Sequence, residues 1–216
     1  MNILPITNYK NLLFKTNLVF TSKYHKQSCD TVEISAKNKE FNNKKLKIIT
    51  LSKLIKRKNI DLVIKALSKV NFDFEYSIFG QGKEQKNLEK LIKKYSLEEK
   101  IKIFSHIKHE EIWQKLDEND IFILPSINET FGISYLEAQA RGLVVIGTMG
   151  TGVDGIIENN KNGFLIKPNI QNIKEILEKI FKQNNNEIIK NSLLNIQNYT
   201  KEKIMNKYVE NIKKIL

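Results

Sequence analysis

Two glutamates with seven residues between them, Glu129 and Glu137, stand on either side of a glycine in the segment Pro125-Ser126-Ile127-Asn128-Glu129-Thr130-Phe131-Gly132-Ile133-Ser134-Tyr135-Leu136-Glu137-Ala138. An apolar run ends at the proline, and helical periodicity resumes near the glycine. A helix starting there leaves the amides of Phe131, Gly132 and Ile133 without intrahelical acceptors, which is the arrangement that attracts an anion. A diphosphate suits such a place. Glu137 falls about one and a half turns into that helix, and a carboxylate accepting both hydroxyls of a ribose gains charge-assisted hydrogen bonds of roughly 1.5 to 3 kcal/mol each. The plain alternatives are a solvated loop residue for Glu129 and an exposed helix position for Glu137. Against the second stands the setting of Glu137 between Leu136 and Ala138, where an unpartnered carboxylate is costly.

Positioning these groups requires strands that deliver loops to one edge. From Lys47 onward, short β-branched runs alternate with longer helical stripes, the pattern of successive βαβ units and a parallel sheet covered on both faces. The expected strands are 48–51, 74–79, 101–104, 121–124, 143–146 and 164–166. Asn59 reads as the N-cap of a helix carrying Ile60, Val63, Ala66, Leu67 and Val70 on one face. Leu88, Leu91, Ile92 and Tyr95 mark a second helix, residues 110–116 a third, and Ile173, Ile176, Leu177 and Ile180 another in the tail. Before them, 18–21 reads as a strand, 23–30 as a helix and the stretch to Lys47 as a linker; after them, 201–215 reads as an amphipathic helix. In a doubly wound sheet, ligands bind beyond the carboxyl ends of the strands. The loops to read are therefore 53–58, 80–82, 105–109, 125–132 and 147–155, where glycines, lysines and carboxylates gather.

A chain of 216 residues with 41% hydrophobic content and a formal charge of +12 accommodates one α/β domain with additional elements. Its lysines are spread throughout and never interleave with arginine and aromatics as in a nucleic-acid surface, so no nucleic-acid partner is expected. No apolar run reaches membrane-spanning length and no export pattern opens the chain, which leads to the expectation of a cytoplasmic protein. Its basic surface is compatible with a peripheral hold on an anionic leaflet. The single cysteine, Cys29, reads as an incidental thiol. His25, His106 and His109 lack metal spacing, so no metal is expected.

The frame Pro-Ser-x-x-Glu-x-Phe-Gly-x-x-x-x-Glu-Ala, together with Lys53-Leu54 and Lys58, Phe79-Gly80-Gln81-Gly82, His109-Glu110-Glu111, Asp120 to Ser126 and Asn162-Gly163-Phe164-Leu165, resembles the family-four retaining glycosyltransferases. The likeness spans about residues 16 to 216 and implies the GT-B fold, in which two Rossmann-like domains face a cleft. It implies that this chain carries the second, donor-binding domain over 46–200, with 1–45 as the end of an acceptor-binding domain plus linker and 201–216 as a crossover helix. Glu129 is then expected to contact the transferred sugar and Glu137 to hold the ribose of a nucleoside diphosphate sugar of UDP or GDP type. Lys58 and Lys53 would meet the diphosphate, and Thr130, Phe131, Gly132 and Ile133 would approach sugar and phosphates, with Gly80, Ser105 and His106 lining the site. Lys53 stands where the family usually has arginine, Ser105 where glycine is common, and Gly155 where another glutamate is frequent. The turn Gly147-Thr148-Met149-Gly150-Thr151-Gly152 is expected to bring amides near a phosphate.

The activity so implied is transfer of a hexose, with retention, to a glycan or lipid-linked acceptor in surface polysaccharide or glycoconjugate synthesis. The alternative is a truncated, catalytically inactive nucleotide-sugar-binding module, or a subunit needing a separate acceptor-binding chain; a separate N-terminal-domain subunit or a homodimer is the partner so expected. A basic scaffold that binds nucleic acid on a Rossmann-like domain is a third reading, one that salt-dependent binding would mark.

Overall fold

The computed structural model describes residues 45–105, 107–129, 132–199, 203 and 209. The strand expected at 18–21, the helix at 23–30 and the linker up to 44 lie outside these residues. So does the last helix, except for Lys203 and Val209, both helical.

Six strands form one sheet: β1 (Leu46–Leu51), β2 (Phe74–Phe79), β3 (Ile101–Phe104), β4 (Ile121–Ile123), β5 (Val144–Thr148) and β6 (Phe164–Ile166). Their order is β3-β2-β1-β4-β5-β6 and each neighbouring pair is parallel. This is the doubly wound α/β arrangement that the alternating pattern predicts. The chain leaves β1 in both directions across the sheet, which opens a crevice between the loops that follow β1 and β4.

Period-two alternation divides the apolar side chains between the two faces. Ile48, Ile78, Ile123 and Ile146 lie in a core with α1 (Ile60–Leu67), α2 (Gln85–Lys94) and α5 (Ile170–Lys182). Ile49, Phe79, Phe122 and Val145 lie in the opposite core with α3 (His109–Asp117) and α4 (Ile133–Ala140). Every residue of β4 and β5 is buried, as a central strand covered on both faces requires. In α1, Val63, Ile64 and Leu67 are almost fully buried, and each contributes about 1.5 to 3 kcal/mol through loss of apolar surface. The tail, read as one helical stretch, is two helices. α5 stops where Gln183 is extended, and the amide of buried Asn185 donates to the carbonyl of Ile180 before α6 (Asn186–Ile196) begins.

Beneath the crevice, buried Tyr76 donates to Thr50 Oγ1 at 2.7 Å, and Thr50 Oγ1 donates to the carbonyl of Ile123. The chain of hydroxyls crosses β2, β1 and β4 and satisfies groups that would otherwise be costly to bury. Burial pushes the Tyr76 hydroxyl well above its ordinary pKa.

Asn59 differs from its expected role. It precedes α1 but its side chain makes no cap bond; its backbone is left-handed (φ 54°, ψ 31°), and its side-chain amide donates to Pro125 O at 2.8 Å. A cap needs extended backbone, and the left-handed turn that swings the β1 loop toward the β4 loop removes that geometry. Asn59→Gly, which keeps the conformation and loses the bond, is expected to cost about 1 kcal/mol in denaturant unfolding. Asn59→Ala, which also strains the left-handed backbone, is expected to cost about 2 kcal/mol. Equal losses for both would show that the backbone conformation is not the constraint.

Candidate functional site

The loops after β1 and β4 are stitched together across the crevice. Besides the Asn59–Pro125 bond, Ile127 N donates to Arg57 O at 2.9 Å and Arg57 Nη1 reaches Asn128 O at 3.3 Å. Lys58 Nζ donates to Glu129 Oε2 at 2.7 Å. The Lys58 and Glu129 side chains retain only 10% and 16% of their exposure, so their attraction is weakly screened and their geometry well held. Two residues 71 positions apart in sequence therefore form one charged unit at the topological switch point. The carbonyl of Glu129 accepts from Gly152 N at 2.8 Å, which draws the loop after β5 onto the same loop.

Gly132 ends this loop in left-handed backbone (φ 76°). A Cβ there would lie 2.7 Å from Val153 Cγ1 and 2.8 Å from the Tyr135 ring, so glycine is demanded twice, by conformation and by space. Because Gly132 brings no side chain to the N-cap position of α4, the Ile133 and Ser134 amides have no hydrogen-bond partner among the described residues. Those amides and the positive end of the helix dipole are therefore available to an anion beside Lys58. Tyr135 anchors α4 to the sheet: fully buried, it donates its hydroxyl to Leu124 O and meets the Phe122 ring edge-on at 5.1 Å. Burial, with Glu129 nearby, holds that hydroxyl far above its usual pKa.

Glu137, one turn further along α4, is partly buried and its carboxylate has no hydrogen-bond partner among the described residues. Desolvation pushes it up from the usual carboxylate range to about 7. A group so perturbed, on the helix that follows β4 and without a partner among the described residues, is a candidate ligand-binding group. The structure thus brings Lys58 and Glu129 into contact and sets Gly132, Ile133 and Glu137 on the adjoining helix. Lys53 is exposed on the β1 loop, with no ion pair among the described residues. Ser105 is exposed at the end of β3, two strands from β1. Thr130, Phe131 and His106 lie outside the described residues.

Two glycine-rich turns are held by backbone bonds and close contacts that their composition alone does not show. The Gly80 amide is already donated to Phe104 O at 2.9 Å, so no phosphate contact runs through it. The absence of a side chain matters instead: a Cβ on Gly80 would fall 1.8 Å from Ser52 O, and one on Gly82 2.2 Å from Leu54 O. In the turn after β5, Met149 N donates to Ile166 O, Gly150 N to Asp154 Oδ2 and Gly152 N to Glu129 O, so these three amides are not open to a phosphate.

Sequence reasoning missed Arg57 and Asn59 as loop-to-loop ties. The left-handed conformation of Asn59 has one legible signal, since asparagine is among the few non-glycine residues that adopt it readily; the backbone contacts of Arg57 have none.

Among relatives, the amylovoran biosynthesis glycosyltransferase AmsK of Erwinia amylovora is 33% identical over 129 residues, covering 56% of this chain and 32% of AmsK. The phosphatidylinositol N-acetylglucosaminyltransferase gpi3 subunit of Schizosaccharomyces pombe is 28% identical over 122 residues, covering 55% of this chain and 27% of that protein. The chain spans about a third of the length of the curated relatives it matches. Among solved structures, Anabaena HepE in complex with UDP and glucose superposes with a TM-score of 0.70 at 21% identity, covering 80% of this chain and 48% of HepE. A GtfA/B complex superposes with a TM-score of 0.70 at 24% identity, covering 80% of this chain and 36% of the matched one. These likenesses establish the fold as that of GT-B glycosyltransferases. The Glycosyl transferases group 1 family matches residues 31–203, and the chain belongs to that family.

Proposed function

We propose that this chain is the donor-binding half of a retaining hexosyltransferase that takes a nucleoside diphosphate sugar, of UDP or GDP type, and serves a glycan or lipid-linked acceptor. The observation that carries the reading is the cluster at the switch point: Lys58 against Glu129, the uncapped start of α4, and the unsatisfied carboxylate of Glu137. When the bond between the sugar's anomeric carbon and the diphosphate breaks, negative charge develops on the departing phosphate oxygen. Lys58 and the α4 amides, held in place by the fold, meet that charge, and the exposed Lys53 adds to it from the β1 loop. Glu129 orients the sugar, and Glu137 holds the ribose. In this reading protein groups do this work.

Polysaccharide synthesis is supported by the name of AmsK, and a UDP donor by the UDP and glucose bound to HepE. The acceptor wall of the cleft is a second domain or a partner chain facing the crevice. Ile127 and Met149, each 43% exposed, stand on the loops after β4 and β5, where such a wall would cover them. Among the described residues, no helix is long and apolar enough to cross a membrane. We place the protein in the cytoplasm, with its basic surface toward the inner leaflet when the acceptor is lipid-linked.

The pH dependence of donor binding tests the site. Ribose hydroxyls donate to the carboxylate, so only ionised Glu137 binds fully. With its pKa at about 7, affinity for a UDP-sugar should rise about tenfold between pH 6 and pH 8 in calorimetric titration. The sugar-capped diphosphate carries no proton that titrates in this window. Glu137→Gln should bind more weakly and lose the slope. Stability without ligand runs the other way. The folded chain keeps a proton on Glu137 that the unfolded chain releases above about 4.5, so this residue's contribution falls as pH rises from about 4.5 through 7. A flat binding profile in the parent chain, or an unchanged slope in Glu137→Gln, would remove Glu137 from the site.

A further inference from the structure

Arg141 closes α4 one helical turn beyond Glu137, and its amide donates to Glu137 O at 3.2 Å, so the helical spacing persists through it. Side chains four apart on a helix are neighbours, and glutamate followed by arginine is the order in which such a pair attracts best. Yet the Glu137 carboxylate receives nothing from Arg141, since burial is the only cause that moves its pKa. Arg141 turns to α3 instead. Its Nε donates to Asp117 Oδ1 at 2.6 Å and its Nη2 to Asp117 Oδ2, with the guanidinium 5.7 Å from the centre of the Trp113 ring. Only 9% of the Arg141 side chain and 28% of that of Asp117 remain exposed. A planar fork on a carboxylate, set beside an aromatic ring and shielded from water, outcompetes a single flexible ion pair.

Among the described residues, no cation on the surrounding elements lowers Glu137 either. The titratable and charged residues of α3 are His109, Glu110, Glu111, Lys115 and Asp117, those of α6 are Glu187 and Lys190, and β5 has none. Glu111 accepts from the Lys108 amide, Lys115 is bonded to Glu118, and Lys58 is engaged by Glu129. Arg141 is thus the cation whose place on α4 lets it reach Glu137, and Asp117 is the group that holds it elsewhere. A guanidinium arriving within about 4 to 6 Å would lower the Glu137 carboxyl by about 1 to 3 pH units. A ligand's hydroxyls would then have to displace it before they could bond to the carboxylate.

We propose that Asp117 is a positioning residue for the donor site: by gripping Arg141 with both oxygens, it keeps that guanidinium off Glu137 and leaves the Glu137 carboxylate open to a ligand. The proposal rests on the donor-site reading above and deepens it by assigning the group that keeps the ribose-binding carboxylate available. Asp117 acts through Arg141 and need not meet the ligand. The same grip ties the end of α4 to α3, so the test must separate a mechanical tie from the withholding of a charge.

The test follows the Glu137 carboxyl by NMR in the full, ligand-free chain with isotope-labelled glutamate, its resonance assigned by its loss in Glu137→Gln. In the parent it should titrate at about 7. Asp117→Asn releases Arg141 and should lower that midpoint by about 1 to 3 pH units. The double variant Asp117→Asn, Arg141→Met should restore it, because no cation is left to move and both charges of the shielded pair go together. Arg141→Lys keeps a cation without the fork; it too should lower the midpoint, and it carries the test should Asp117→Asn not fold. Calorimetry with UDP-glucose gives the second reading. Asp117→Asn should lose the rise in affinity with pH and bind about tenfold more weakly at pH 8, and the double variant should regain both. A mechanical tie predicts a double variant no better than the single one. A Glu137 midpoint unchanged in both Asp117→Asn and Arg141→Lys would overturn the proposal, as would one equally lowered in the double variant. A parent chain that titrates as expected but binds no UDP-glucose would strike down the donor site, and the positioning role with it, independently of the ion-pair result.

Discussion

Replacing Lys58 by methionine should destabilise the chain by about 3 kcal/mol at neutral pH, the lower part of the range for removing one partner of a buried ion pair. The reason lies with Glu129 rather than with the lysine. Methionine fills much of the volume of the lysine stem, but it leaves the Glu129 carboxylate, at 16% exposure, in a crevice with no cation bonded to it. The double variant Lys58→Met, Glu129→Gln should recover most of the loss, because it removes the stranded charge as well; the interaction energy between the two changes is the measured quantity. Nucleotide-sugar affinity behaves differently. It should fall by about 10- to 100-fold in Lys58→Met, the size of one or more charge-assisted hydrogen bonds to phosphate, and the double variant should not recover it. Denaturant unfolding and calorimetry on the parent, the two single variants and the double variant decide the matter. A single variant as stable as the parent would mean that the pair is too solvated to matter, and undiminished binding would take Lys58 out of the diphosphate site.

Gly80→Ala should be the most damaging small substitution in the crevice. The added methyl would fall 1.8 Å from Ser52 O, at a backbone φ of 151°, and neither atom belongs to a flexible side chain. The loop after β1 or the end of β2 must move, at a cost of about 3 kcal/mol or more, which lowers the melting temperature by about 6 to 12 °C in a chain of this size. The displaced loop carries Lys53 and Lys58, so nucleotide affinity should fall with stability. Gly150→Ala is the control. Its φ is also positive, at 74°, but a Cβ there meets nothing within 4 Å, so only the conformational cost of roughly 1 to 2 kcal/mol remains. Thermal unfolding of the two variants side by side reads out the difference. Equal shifts would show that the close approach of Gly80 to Ser52 is not a real constraint.

Both expectations depend on contacts that local sequence does not encode. Glu129 and Glu137 are recognisable as a spaced pair, and Lys58 as a cation on a neighbouring loop. That Lys58 and Glu129 touch follows only from the placement of β1 beside β4, which is a property of the strand order. The glycines at 80 and 82 read as a turn between strand and helix, whereas their environment is the backbone of Ser52 and Leu54. The glycine turn after β5 illustrates the opposite error. Its composition suggests free amides, and the fold has already assigned those of Met149, Gly150 and Gly152 to Ile166, Asp154 and Glu129.

By itself the sequence determined the class of the protein. Apolar residues at period two, interleaved with helical stripes, admit only a parallel sheet with helices on both faces, because burial of each stripe is a local demand repeated along the chain. It also determined which residues are available for chemistry, since a glutamate or a lysine carries its charge wherever it lies. Tertiary structure decided which of those groups meet and which are already satisfied. It paired Lys58 with Glu129, left the Glu137 carboxylate desolvated and without a hydrogen-bond partner among the described residues, spent the amides of Gly80 and Gly150, and set Phe104 flat upon Phe79. Hydrogen bonding and desolvation depend on the distance between groups far apart in the chain, and that distance exists only once the sheet has formed.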